Sequence, residues 1–203
     1  MPKTKQIYII AGANGAGKTT MAKYLLTKFL DINEFVNADE IARGLSPFNP
    51  RSVDLTASKL MLTRIDSLVE QGKNFAFETT LSGKNYIKLI KKFHKHKYQV
   101  NLIFLYLDNT QEAKRRVAYR VESGGHFISD DDIERRYYRG IQNLIDEYLD
   151  IVDYAIVIDA TNTERNIIAK KSKKIKILSK DQWDKIQLIK DHRYESKLST
   201  RKN

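Results

Sequence analysis

Apolar and polar positions fall in blocks along the chain, and the blocks change period. Short continuous apolar runs such as Ile7-Tyr8-Ile9-Ile10 and Phe75-Ala76-Phe77 have the pattern of buried strands. This pattern predicts strands over residues 6–11, 34–37, 74–78, 99–107 and 154–159, with a weaker one over 174–178. Helical spacing predicts helices over residues 18–29, 53–71, 84–96, 111–123 and 130–149. Alternating strands and helices predict an α/β fold with a mostly parallel sheet covered by helices. In such sheets ligands sit beyond the carboxyl ends of the strands. The polar residues that follow each strand are therefore the candidates for chemistry.

The turn after the first strand reads Gly12-Ala13-Asn14-Gly15-Ala16-Gly17-Lys18-Thr19, a complete G-x-x-x-x-G-K-[ST] phosphate loop set between a strand and a helix. Its glycines let successive N–H groups point at phosphate oxygens, and the helix N-terminus adds partial positive charge. These eight residues, with Thr20 and Arg116, are expected to hold a nucleoside triphosphate, ATP or GTP. Lys18 reaches the β- and γ-phosphates, and the Thr19 hydroxyl is the expected Mg²⁺ ligand.

The next strand ends in Asn37-Ala38-Asp39. Asp39 can face the γ-phosphate and accept a proton from an acceptor hydroxyl, or it can cap the short helix that follows; the two roles are compatible. The third strand runs into Glu78-Thr79-Thr80-Leu81-Ser82. Glu78 can bind an acceptor hydroxyl or a metal-bound water, and Thr79, Thr80 and Ser82 can hydrogen-bond a polar acceptor. The competing reading is a strand terminus before a capped helix. Asp108 is open to a Mg²⁺ role or, more simply, to capping the helix near Gln111.

A dense set of arginines follows: Arg115, Arg116, Arg120, Arg135, Arg136 and Arg139. Arg116 and Arg120 share one helix face, and Arg135 and Arg139 share another. Two arginine-bearing helices joined by residues 121–129 suggest a hinged lid, about residues 115–140, closing over phosphates. Surface pairing with Glu112, Asp131, Asp132 and Glu134 is the alternative for some of them. Gly124-Gly125 breaks the first helix, Ser129 with three aspartates starts the second, and His126 reads as a lid contact.

Length narrows the rest. The 203 residues suit a single domain, 1–203, and no apolar stretch is long enough to cross a bilayer. No signal peptide fits the start, and the absence of cysteine suits the cytoplasm. The net charge of +11 raises nucleic acid as a partner. However, residues 170–203 hold 12 Lys and Arg against 4 Asp and Glu, a local excess of +8 far from the phosphate loop. Nucleic acid is therefore not the expected partner.

The phosphate loop, Asn37-Ala38-Asp39, Phe77-Glu78-Thr79-Thr80-Leu81-Ser82, the Arg116/Arg120 stretch into Gly124-Gly125-His126, and Arg135-Arg136 together resemble, in order, the zeta-toxin family of small P-loop kinases. The resemblance covers roughly residues 6–165 and is to the compact, single-domain branch. It implies a three-layer P-loop kinase fold with a helical arginine lid. It also implies phosphorylation of the 3′-hydroxyl of UDP-N-acetylglucosamine from ATP or GTP, with an antitoxin protein as a candidate partner. By resemblance Asp39 is the general base. Lys18, Arg120 and one of Arg135 or Arg136 stabilise the transferring phosphate, and Glu78 and Thr80 contact the acceptor. Two rival readings stand beside this one. The first is a kinase for another small hydroxyl compound, discriminated by residues 44–50. The second is a nucleotide-gated RNA binder that uses the basic C-terminal segment and would show steep salt dependence.

Overall fold

The computed structural model describes residues 4–30, 32–122, 124–125 and 127–191. The chain runs β1 (Lys5–Gly12), α1 (Lys18–Leu25), β2 (Phe35–Val36), α2 (Ala38–Leu45), α3 (Asp54–Glu70), β3 (Phe75–Thr79) and α4 (Asn85–Lys95). It continues through β4 (Tyr98–Tyr106), α5 (Thr110–Glu122), α6 (Asp130–Asn143), α7 (Leu149–Ile151), β5 (Tyr154–Asp159), β6 (Ile167–Lys171), β7 (Ile175–Ile177) and α8 (Lys180–Asp191). The strands form one sheet in the order β2-β3-β1-β4-β5-β6-β7. The first five are mutually parallel, and β6 and β7 add antiparallel to the far edge.

Side-chain alternation divides the apolar strands between two faces of unequal depth. On one face, Ile7, Ile9, Phe75, Phe77, Val100, Leu102 and Val157 join the inner sides of α3, α4, α6 and α8 in the main core. Phe75, Phe77 and Phe93 are fully buried there, and Phe75 meets Phe93 edge-to-face at 5.8 Å. Each such side chain contributes roughly 1.5–3 kcal/mol of burial. On the other face, a smaller cluster of Ile10, Ala22, Leu26, Ile32 and Ala76 packs beneath α1 and the π turn that extends it to Leu30. The expected three layers are therefore present, but one outer layer is thin.

The expected strands and long helices form close to their predicted bounds. Residues 38–45 make α2, the short helix expected after Asp39. Two elements were not foreseen. Residues 167–171 form β6, which pairs with β5. The basic C-terminal stretch contributes α8, whose Trp183 and Ile186 are buried in the main core. Lysines of α8 pair with acids: Lys180 with Asp184, Lys185 with Asp108 and Lys190 with Asp146. Much of the basic segment is thus folded into the domain. Residues 192–203, with the rest of its charge, lie outside the described residues, as does His126. Among the described residues no helix is long and apolar enough to cross a membrane.

Candidate active site

The phosphate loop leaves β1 at Gly12, whose φ of 141° lies in a region that favours glycine. A β-carbon there would stand 2.4 Å from the Leu105 carbonyl oxygen of β4, so only glycine lets the strands approach this closely. Gly17 closes the loop at φ 83° as the residue before α1. Lys18 is buried, and its ammonium folds back to donate to the Ala13 carbonyl at 3.0 Å. Burial lowers its pKa, the charges of Arg120 and Arg136 add to that, and Glu78 and Asp39 oppose it. These four side chains therefore share one electrostatic site around the lysine.

Thr19 Oγ1 donates to Glu78 Oε2 at 2.8 Å, which ties the start of α1 to the end of β3. Burial raises the Glu78 pKa; Lys18 and the Thr19 hydroxyl oppose the rise, while Asp39 and Glu40 add to it. A cleft of about 230 Å³ opens here. Asn14, Lys18, Asn37, Asp39, Glu78, Thr79, Thr80 and Arg136 all line it. Among the described residues, Asn14 Oδ1 is buried with no hydrogen-bond partner.

The cap of α2 is Asn37, not Asp39. Asn37 Oδ1 accepts from the backbone N–H groups of Asp39 at 2.8 Å and Glu40 at 3.4 Å. Asp39 is thereby released from capping and stands in the first turn of α2. Asn37, expected to touch substrate, spends its carbonyl oxygen on this cap while still lining the cleft.

The loop after β3 is fixed from behind by α6. Leu81 is fully buried at φ 54°, its carbonyl accepts from Asn143 Nδ2 at 2.7 Å, and its N–H donates to Thr79 Oγ1 at 3.1 Å. Gly140 of α6 lies against Thr80, where a β-carbon would come within 2.6 Å of the Thr80 carbonyl oxygen. The Thr80 and Ser82 hydroxyls are 2.8 Å apart and bond to each other. Thr79 and Thr80 line the cleft, whereas Ser82 supports Thr80 from outside the lining.

The arginines separate by role. Arg136 lines the cleft. Arg135, one position away, is absent from the cleft lining and pairs with Asp132 at 2.5 Å, so the expectation of a catalytic Arg135 is not matched by its placement. Arg120 acts on Lys18 through space. Its carbonyl accepts from the Gly125 N–H at 2.8 Å, which with Gly124 at φ 80° ends α5 as the double glycine suggested.

Arg116 is a clamp. Its guanidinium donates to Glu112 at 2.5 Å, to the Ala160 carbonyl at 2.9 Å and to the Thr161 carbonyl at 2.5 Å, and reaches the Gly15 carbonyl at 3.5 Å. It binds α5 to the phosphate loop and to the loop after β5, beside an opening lined by Thr161, Asn162, Thr163 and Asn166. Hydrogen bonds from Arg115 and Arg116 hold the Glu112 carboxyl down to about 2. Asp108 neither caps α5 nor meets the cleft: Asn109 is the cap, accepting from the Glu112 N–H at 2.8 Å, and Asp108 pairs with Lys185 at 3.1 Å.

The cleft also includes residues that were not foreseen. Asp54 and Ser58, from the first turns of α3, and Met61, Tyr86 and Ile128 complete its wall. Asp54 and Ser58 stand four apart on one helix face, a spacing visible in the sequence. Nothing in the sequence says that this face turns toward the phosphate loop.

Similarity to known proteins agrees with this geometry. An uncharacterized protein of Haemophilus influenzae is 30% identical over 126 residues, 62% of this chain and 88% of that protein. The structure of AvrRxo1-ORF1 in complex with ORF2 and ATP superposes with a TM-score of 0.75 at 16% identity, over 91% of this chain and 64% of that one. The chain thus spans less than two thirds of that neighbour's length. The PezAT toxin–antitoxin system of Streptococcus pneumoniae superposes with a TM-score of 0.66 at 15% identity, over 98% and 82% of the two chains. At such identities these structures show the shared fold. The model of the zeta toxin family matches residues 1–179, nearly all of the domain described above, and the chain belongs to that family.

Proposed function

We propose that the protein is an ATP-dependent phosphotransferase that moves the γ-phosphate to a hydroxyl of a nucleotide sugar, the 3′-hydroxyl of UDP-N-acetylglucosamine. The observation that carries this reading is that Asp39 lines the same cleft as Lys18 and Arg136. Phosphoryl transfer asks little covalent chemistry of a protein; it needs positioned charge and a base for the incoming hydroxyl.

In this reading the phosphate loop cradles the triphosphate. Lys18 leaves the Ala13 carbonyl for the β- and γ-phosphate oxygens. Arg120 and Arg136 meet the charge that spreads over the transferring group, and Asp39 takes the acceptor proton. Glu78, Thr79 and Thr80 orient the acceptor. Arg116 supports the nucleotide indirectly, by fixing the loops around the base end. A cleft of about 230 Å³ lies below the roughly 300–1,000 Å³ of whole-ligand pockets. It suits the reacting sugar ring, with the nucleotide portion of the acceptor extending outside.

Mg²⁺ fits the donors present. Thr19 Oγ1 and Glu78 Oε2, 2.8 Å apart, are hard oxygens, and Mg²⁺ keeps several waters and asks few ligands of a protein. When bound, the ion neutralises charge on the β- and γ-phosphates. The buried Asn14 Oδ1 is an acceptor that a water or hydroxyl at this place would satisfy. An antitoxin partner is part of the same proposal, supported by the assemblies named for the PezAT and AvrRxo1-ORF1 structures. A cytoplasmic setting goes with those substrates.

The test is a transfer screen with γ-labelled ATP against UDP-N-acetylglucosamine, other sugars, nucleosides and RNA 5′ ends. Label should move to the nucleotide sugar and vanish with Lys18→Ala and Asp39→Ala. Label on a different acceptor would replace the substrate assignment, and label that survives both substitutions would refute the site.

A further inference from the structure

Parallel strands are almost always covered on both faces, yet on one face of β4 and β5 the stretch holding Asn101, Tyr154, Ile156 and Ile158 is only partly covered. Register identifies the residues on the open face: Asn101 pairs with Tyr154, Ile103 with Ile156, and Ile156 with Lys170 across the antiparallel edge. Their alternating neighbours Leu102, Ala155 and Val157 face the main core. α1 covers β1 and β3 and stops there. Beyond it lies a groove of about 740 Å³ floored by Ile103, Ile156, Ile158 and Ile167 and walled by Met21 and Tyr24 of α1. Tyr24 and Tyr154 at its margins are about half exposed, at 50% and 46%. This is the position in which an α/β domain ordinarily places a helix, and its floor is aliphatic.

The charged side chain in the groove's lining is basic. Arg165 lines it, Lys28 Nζ stands 5.2 Å from the Tyr24 ring, and no carboxylate is among the lining side chains. Lys170 pairs with Ile156 and Lys176 with Lys170, so both lysines belong to the same face. A second copy of this chain would bring the same basic rim and a net charge of +11 against it. Residues 192–203 contain one leucine and one tyrosine, too few for an apolar stripe. They also follow α8, which packs on the opposite face, where Gln182 bonds Asp159.

We propose that this groove is the docking site for an amphipathic helix of a partner protein, with an aliphatic stripe against the isoleucine floor and acidic flanks against Arg165, Lys170 and Lys176. The groove shares no lining residue with the catalytic cleft, and Thr20 and Arg165 bring one end of it beside the phosphate loop, so the claim stands independently of the acceptor's identity.

The experiment uses two synthetic helices, each about five turns long, with the same leucine stripe and either glutamate or lysine elsewhere. Binding to the full chain is followed by fluorescence anisotropy at physiological salt. The glutamate helix should bind at least about tenfold more tightly than the lysine helix. Tyr154→Asp should weaken it by a similar factor. The surface reversal Lys170→Glu with Lys176→Glu, which disturbs no packing, should invert the preference. Equal binding of both helices, or affinities untouched by both variants, would overturn the proposal. So would a concentration-dependent dimer in sedimentation that Tyr154→Asp abolishes, since the face would then close on a second copy.

Discussion

Thr19 Oγ1 and Glu78 Oε2 are joined by a 2.8 Å hydrogen bond that links the phosphate loop to the end of the neighbouring strand. The bond joins the expected metal-binding hydroxyl to a buried carboxylate whose pKa is raised. A raised folded pKa means that the unfolded chain releases this proton first as pH climbs. Stability therefore falls with rising pH from about 4.5, the ordinary value, up to the folded pKa. Glu78→Gln keeps the acceptor oxygen and removes the charge. It should be more stable than the parent near neutral pH, with the difference shrinking toward pH 4.5, while phosphoryl transfer falls. Denaturant unfolding of both proteins at several pH values measures this; a stability advantage over the parent that is no larger at neutral than at acid pH would contradict the assignment.

Adjacent arginines on α6 should behave differently. Arg136 lines the cleft, whereas Arg135 is absent from its lining and pairs with Asp132. Arg136→Ala should lower transfer by about 10³-fold, the low end for an arginine that meets transition-state charge. Arg135→Ala should leave the rate within a few-fold. Steady-state kinetics of the two variants decides the point, and equal losses would mean that α6 rotates in the working state.

Gly140 is where α6 touches the loop after β3, the proposed acceptor surface. Gly140→Ala would place a methyl group within 2.6 Å of the Thr80 carbonyl oxygen, so the loop must shift. An overpacked contact of this kind costs about 1–3 kcal/mol. The displaced Thr79 and Thr80 should raise the KM for the acceptor more than that for ATP. A variant as stable as the parent, with unchanged acceptor KM, would show that the loop is not held from this side.

Arg116 offers a test at the nucleotide end. Arg116→Met keeps the bulk but removes donors to Glu112, Ala160 and Thr161. ATP should bind about tenfold more weakly, roughly 1.4 kcal/mol. Arg115→Met, which removes an exposed partner of Glu112, should change ATP affinity little. Calorimetric titration of both variants separates a clamp from a surface pair.

The parts of this architecture that were legible in the sequence are those with strong local signals. The apolar runs of β1, β3, β4 and β5 and the phosphate loop each carry their structure in a few adjacent residues. α8 was obscured because its charge dominates its composition; Trp183, Ile186 and Ile189, spaced by three, were the readable trace of an inward face. β6 has five residues and two lysines, and its place depends on pairing with β5 rather than on its own pattern. Asn37 as the cap was foreshadowed by Glu40 three positions on, a spacing typical of helix starts. The choice between Arg135 and Arg136 depends on how α6 is rotated. Arg136 lies four residues before Gly140, the point of close approach, and that stripe is the one turned toward the site.

The role proposed for Asp39 is to take the proton from an acceptor hydroxyl placed against ATP. Asp39→Asn keeps size and helix position and removes basicity. Single-turnover transfer from ATP to UDP-N-acetylglucosamine, measured alongside ATP affinity, tests it most directly. Transfer should fall by about 10²–10⁴-fold with ATP affinity nearly unchanged. Transfer at the parent rate in the variant would contradict it.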